Sequence, residues 1–177
     1  MEWFEQLKRS LFRSVIQQRK AQQAPHRLLN FDQAKTFAII YDSTLPDNDI
    51  TITKFAEQLR RVGKEVQVYG YLNDKKIDHK ADIQIFNRNA VNWYGVPVDE
   101  KALGFCKKSF DVLLCATVDL IAPLEYLATF SAATCRIGAY HPAHLHCFDL
   151  MIERGSNQRL DYLLQQMEST LKKIQTT

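Results

Sequence analysis

Apolar residues along this chain keep two rhythms that alternate from end to end. Dense apolar runs at 36–42 (TFAIIYD), 65–72 (EVQVYGYL), 110–117 (FDVLLCAT) and 135–140 (CRIGAY) have the pattern of strands covered on both faces, as in parallel sheets. Shorter runs at 82–86 (DIQIF) and 148–152 (FDLMI) read as two further strands. The segments between them carry apolar residues at helical spacing. These are Ile50, Phe55, Leu59 and Val62 over 49–62, a helix over 99–108, Leu124, Leu127, Ala128 and Ala132 after Pro123, and Leu160, Leu163, Leu164, Met167, Leu171 and Ile174 over 158–174. Asn48 or Asp49 is expected to cap the first helix, Gly63 to stop it, and Pro123 to open the third, where its missing N–H would be unpaired anyway.

Strands and helices in alternation predict a three-layer α/β/α Rossmann-like sandwich with a mostly parallel sheet. The stretch 110–140 is its clearest unit: the strand, helix and strand of a right-handed βαβ crossover. A short charged turn, NDKKIDHK at 73–80, joins the strands at 65–72 and 82–86. That shortness allows an antiparallel pair at this one place. Residues 87–97 read as loop, with Gly95 and Pro97 as breakers.

Ahead of this body lies a different pattern. Over residues 2–23, Phe4, Leu7, Leu11, Phe12, Val15 and Ile16 make an apolar stripe with Trp3 at its margin, Lys8, Arg9, Arg13, Gln17 and Lys20 fill the rest, and Pro25 ends the segment. The chain therefore divides into a basic amphipathic helix, 1–24, and one α/β domain, 25–177. Charge sharpens the division. The net charge is +3, yet residues 1–30 hold Lys8, Arg9, Arg13, Arg19, Lys20 and Arg27 against Glu2 and Glu5 alone, so the body is slightly acidic. Such a helix can pack on its own domain or a second copy, dock on an unknown protein partner, or lie on an anionic membrane with Trp3 and Phe4 at the interface. Nucleic acid is disfavoured, because no aromatic-rich basic sheet or helix-turn-helix accompanies the charge.

Composition narrows the class further. With 46% apolar and 24% charged residues the chain belongs among ordinary globular domains. No apolar run approaches the roughly 20 residues of a membrane span, and Glu2, Glu5, Lys8, Arg9 and Arg13 interrupt any signal-peptide core. Cys106, Cys115, Cys135 and Cys147 have no CxxC spacing, and two fall in predicted strands. The expectation is a reduced, cytoplasmic protein whose first helix offers a route to the inner membrane surface.

In sheets of this kind ligands sit beyond the carboxyl ends of the strands. Those positions hold Asp42, Ser43 and Thr44 after the first strand, and Thr117 and Asp119 after the central one. The acids suit ribose hydroxyls or a metal, and equally the backbone N–H groups of the following loops and helices. Asn92 and Trp93, in NWYG at 92–95, serve a sugar or base if exposed; buried, Trp93 and Tyr94 lid the core. HPAHLHC at 141–147 gathers three of the five histidines. His141 and His144, joined by His146 or Cys147, are zinc-ligating types, although neighbours in a strand face opposite sides, so His146 and Cys147 exclude each other if the last strand starts early. Solvated histidines in a surface loop fit the same residues, and neither a metal nor a cofactor is assigned. The six glycines form neither GxGxxG nor GxxxxGK[ST], which argues against ordinary dinucleotide and P-loop nucleotide binding. With no GxSxG or HExxH either, no catalytic residue is assigned.

The succession FDQAK, IIYDS, FAEQLRRVGKEV, NWYGVP, FDVLL, PLEYLATFSAA and FDLMIE, over about residues 31–174, resembles a bacterial, Bacteroidota-type family of uncharacterised proteins of roughly this length. That resemblance implies an α/β protein and carries no activity; HPAHLHC is not part of the family's pattern. More locally, FDVLLCATVDL and ATFSAATCRIG, within 110–138, are similar to a strand–helix–strand unit in the N-terminal half of heptosyltransferase-like glycosyltransferases. Those enzymes bind the sugar nucleotide largely with a second Rossmann-like domain, so this resemblance implies an acceptor-side half. The expectation is a non-catalytic binding or interaction module. The alternative is an enzyme or enzyme remnant that takes a sugar or nucleotide sugar at the strand ends.

Overall fold

A computed structural model describes residues 1–19, 27–75 and 82–175; Lys20, Pro25 and most of the NDKKIDHK turn lie outside them. Among the described residues the order is α1 (Glu2–Arg19), β1 (Thr36–Asp42), α2 (Pro46–Arg61), β2 (Glu65–Leu72), β3 (Ile83–Asn87), α3 (Glu100–Lys107), β4 (Val112–Ala116), α4 (Ala122–Phe130), β5 (Cys135–Ala139), β6 (Leu150–Ile152) and α5 (Leu160–Lys173), with 3₁₀ turns at Arg88–Ala90 and Pro142–His144. The strands form one six-stranded sheet in the order β3-β2-β1-β4-β5-β6, and every pair in it is parallel. This is the predicted Rossmann-like topology, with its switch point between β1 and β4.

Alternation along the strands divides the core into two layers. Phe37, Ile39 and Tyr41 of β1 and Val112 and Leu114 of β4 pack with Phe55 and Leu59 of α2 and Leu163 and Met167 of α5. Ala38, Ile40, Leu113 and Cys115 point the other way, onto Phe105 of α3, Leu124, Leu127 and Ala128 of α4, and Phe12 and Ile16 of α1. Both faces of the sheet are therefore covered, which is why its strands read as dense apolar runs. No helix among the described residues is long and apolar enough to cross a membrane.

Two expectations need correction. β2 and β3 pair parallel, Val68 opposite Ile83 and Leu72 opposite Asn87, so the antiparallel exception does not occur. A segment the length of 73–82 can span about 33 Å, so its shortness does not force an antiparallel pair. The second correction concerns α2, which opens at Pro46 with Leu45 at the N-cap, ahead of Asn48 and Asp49. Pro46 supplies the start that the polar residues were expected to give. Asp49 accepts from the hydroxyls of Tyr41 (2.6 Å) and Ser43 (2.7 Å) instead of capping.

On the α4 side of β5 sits a charged residue that the apolar run CRIGAY concealed. Arg136 is only 3% exposed. Its Nη2 donates to Asp149 Oδ1 at 3.0 Å and its Nε to Oδ2 at 3.1 Å. Its Nη1 reaches the carbonyl oxygens of Ala128 (3.5 Å) and Thr129 (3.2 Å) at the C-terminal end of α4. Asp149 also accepts from the Arg136 backbone N–H at 2.7 Å. Next along β5, Gly138 lies so close to Phe148 that a Cβ there would sit 2.3 Å from the ring.

Arg136→Leu is expected to lower unfolding free energy by about 3 kcal/mol, because the partly buried Asp149 loses its charge partner and the Ala128 and Thr129 carbonyls lose their donor. The double variant Arg136→Leu/Asp149→Leu should recover part of that loss. Chemical denaturation of the three chains measures both.

Candidate functional site

The carboxyl edge of the sheet has two parts with different properties. At the end of β1, Asp42 Oδ1 accepts from the backbone N–H of Thr44 at 2.9 Å and the Asp42 carbonyl from Asn48 Nδ2 at 2.9 Å. The buried Ser43 gives its N–H to the Tyr71 carbonyl and its hydroxyl to Asp49. Thr44 Oγ1 accepts from the Asn73 N–H at 3.1 Å. These bonds tie β1 to β2 and to α2, the ordinary work of Asp, Ser and Thr in a turn. Burial pushes the Tyr41 phenol up, and its bond to Asp49 adds to that effect.

Beyond β4 and β5 the edge is open. A cleft of about 190 Å³ is lined by Cys115, Thr117, Val118, Asp119, Leu120, Ala139, Tyr140, His141, His144, Phe148 and Arg154. Thr117 is buried and its hydroxyl donates to the Asp119 carbonyl at 2.8 Å, which leaves the Asp119 side chain exposed. Arg154 follows β6 and is braced by Gln158 Oε1 (2.7 Å) and the Val118 carbonyl (3.4 Å). Of the residues predicted from sequence, Thr117 and Asp119 line this cleft; Asp42, Ser43 and Thr44 do not.

Asn92 and Trp93 lie on a third loop. Asn92 Oδ1 accepts from the N–H groups of Tyr94 (3.2 Å) and Val96 (2.9 Å) and so shapes its own turn. Gly95 closes that turn at φ +93°, where a Cβ would strike Ala122. Trp93 is 52% exposed, with one face stacked on Phe4 of α1 at a centroid distance of 5.5 Å. Tyr94, edge-on to Trp93, packs against the core.

Against one wall of the cleft stands a cluster of titratable groups. Glu125 of α4 faces His146 Nε2 at 3.1 Å and His144 Nδ1 at 3.7 Å. Burial alone would raise the Glu125 carboxyl, but the imidazoles of His144 and His146 outweigh it and hold the group down at about 2. His141 stands apart: its Nδ1 caps the 3₁₀ turn by accepting from the Ala143 N–H at 3.2 Å. β6 starts only at Leu150, so His146 and Cys147 lie in a turn and the opposite-face restriction of a strand does not apply to them. All four cysteines are buried, and none forms a disulfide.

Glu125 and Arg154 went unnoticed in the sequence. Arg154 was findable, since it follows the last strand as Asp119 follows the central one. Glu125 carried no local signal; only the fold brings it within reach of residues some twenty positions on.

Comparison with known proteins bears on the whole chain. The profile of a family of unknown function, DUF6913, matches residues 6–174. No curated protein matches. A solved structure, the glycosyl transferase family 9 protein from Veillonella parvula DSM 2008, is similar at a TM-score of 0.56 and 12% identity over 86% of this chain. At that identity the likeness is one of fold. The chain spans 44% of the length of that glycosyl transferase.

Glu125 ionises near 2 in the folded chain against about 4.3 in an unfolded one. Its contribution to stability is therefore complete above about pH 4.5 and is lost as pH falls toward 2. Glu125→Gln should start from a lower thermal midpoint near neutrality and lose less of it on acidification, as pH-resolved melting curves will show.

Proposed function

This chain belongs to the DUF6913 family of unknown function, and from that premise we propose that it is a non-catalytic interaction module that pairs with a second copy of itself through α1. One observation carries the reading: an exposed apolar ridge on a helix whose other face is fixed in its own core. Phe12 and Ile16 are buried, while Trp3 (68%), Phe4, Leu7 and Leu11 are exposed and continue onto Trp93. An apolar ridge held rigidly and rich in tryptophan is the usual anchor of a protein interface. One helix stripe meets its own copy about a two-fold axis without further elements.

The charge pattern favours protein over lipid. With about 100° of turn per residue, Arg9 and Arg13 lie roughly 160° around the helix from Leu7 and Leu11. A membrane seated on the ridge would have these two arginines pointing away from its headgroups. Lys8 lies closer to the ridge, but it is engaged with Glu5 at 2.8 Å and with the Phe4 ring at 4.8 Å.

Trp3 and Trp93 are the chain's two tryptophans, so fluorescence excited at wavelengths beyond tyrosine absorption reads this ridge. The emission is expected to shift to the blue as protein concentration rises through the micromolar range, and Leu7→Glu is expected to abolish the shift with unchanged circular dichroism. Emission independent of concentration overturns pairing. A blue shift produced only by anionic vesicles would assign the ridge to lipid.

A second reading rests on the cleft beyond β4 and β5. By analogy with the glycosyl transferase fold, it would hold a sugar or sugar phosphate, with Arg154 on the anion and Asp119 on hydroxyls. Its volume, about 190 Å³, is below the roughly 300–1,000 Å³ of drug-sized pockets, which suits a monosaccharide better than a whole nucleotide sugar. On this reading a sugar phosphate at about 100 times its Kd adds about 2.7 kcal/mol of stability, several degrees in thermal midpoint. Asp119→Ala should remove that shift and leave the ligand-free midpoint in place; a shift unchanged in Asp119→Ala removes Asp119 from the site.

A further inference from the structure

We propose that Glu125, His146 and Cys147, completed by His144, form a zinc site that clamps α4 to the loop between β5 and β6. The ligand atoms of Glu125, His146 and Cys147 all lie within 4.8 Å of one another. With metal–ligand distances of about 2.0–2.3 Å, a tetrahedral zinc places its ligand atoms roughly 3.3–3.8 Å apart. Glu125 Oε1 and His146 Nε2, at 3.1 Å, are already that close, and these three ligands need to contract by about 1 Å. His144 adds an independent observation. Among the described residues, its Nδ1 is the buried side-chain nitrogen or oxygen without a hydrogen-bond partner, and it stands 3.7 Å from Glu125 Oε2. Beyond that long ion-pair contact this buried nitrogen lacks a hydrogen bond of normal length, a place that a bound ion would fill.

The donor set selects the ion. Two imidazoles, a carboxylate and a thiolate suit zinc, whereas magnesium and calcium take oxygen ligands. Four protein ligands leave no open position, so the site is structural. Binding requires the Cys147 thiolate: the Sγ–metal bond forms as the thiol proton passes to solvent. Thr129 Oγ1, which donates to Cys147 Sγ at 3.4 Å, is placed to support the sulfur once it carries charge. His144 also lines the cleft, so the ion would fix one of the cleft's walls. This inference does not rest on α1 pairing or on a sugar ligand.

The test uses the full chain without a histidine tag, stripped with a chelator and titrated with zinc chloride. One zinc per chain by elemental analysis and a raised thermal midpoint are expected. Cobalt(II) in its place should give the intense visible absorption of a tetrahedral site and a near-ultraviolet thiolate-to-cobalt band. Cys147→Ser should remove the near-ultraviolet band, and His146→Ala should weaken zinc binding about tenfold or more. His141→Ala, outside the set, should change neither. Cys147 is wholly buried, so if its variant fails to fold, His146→Ala in the loop carries the test. A midpoint indifferent to zinc, a wild-type cobalt spectrum without the thiolate band, or unchanged affinity in His146→Ala overturns the proposal.

Discussion

One ion pair joins α4, β5 and the loop before β6. Arg136 is the second residue of β5, buried where solvent cannot neutralise it, and two other pieces of chain meet its guanidinium. Asp149 binds it in bidentate fashion, and the carbonyls of Ala128 and Thr129 take its remaining donors. A buried pair of this kind adds little net stability, since desolvation of both charges offsets their attraction, but loss of either partner is severe. Its consequence is positional. The end of α4 and the end of the loop that carries His141, His144, His146 and Cys147 are both tied to the same side chain. Arg136 thus holds the helix that carries Glu125 beside the loop that carries the two imidazoles.

The sheet was legible in the sequence because burial on both faces forces dense apolar runs, and the helices because their inner stripes repeat at 3.6 residues. Legibility failed where one residue type serves opposite ends. NDKKIDHK suggested an antiparallel pair because it is short and charged, and neither property decides the direction of the strands it joins. Asp49 looked like a cap because caps are Asp, Asn, Ser or Thr, whereas it serves Tyr41 and Ser43 across the layer. The strand-end rule names Thr117 and Asp119, which line the cleft, and, applied to the last strand, names Arg154 as well. Arg136, Asp149 and Glu125 were illegible for a common reason: each takes its meaning from a partner distant in sequence.

The N-terminal helix shows why an amphipathic pattern alone does not reveal what lies against a helix. Its apolar positions read as one stripe, yet the fold divides them. Phe12 and Ile16, with Val15 beside them, meet α4 and the core, and Leu7, Leu11, Phe4 and Trp3 turn outward. Phe4 then stacks on Trp93 from the NWYG loop, so two sequence-distant features that each looked like a separate site form one surface. An exposed aromatic whose second face is already occupied is poorly placed to sandwich a sugar or base, and better placed to extend an apolar ridge.

In a parallel sheet of this order the switch point between β1 and β4 is where space for a ligand ordinarily opens. Here the polar side chains after β1 are spent on one another: Asp42 on the Thr44 N–H, Ser43 on Asp49, and Thr44 on Asn73. These bonds engage the polar side chains at the end of β1 in shaping the turn itself. The open volume lies one strand over, beyond β4 and β5, where Gly138 lets Phe148 pack against the sheet and Arg154, His141 and His144 rim the gap. The cleft thus lies on the edge that folds of this class ordinarily use, one strand over from the switch point, where the polar residues after β1 are bonded into their own turn.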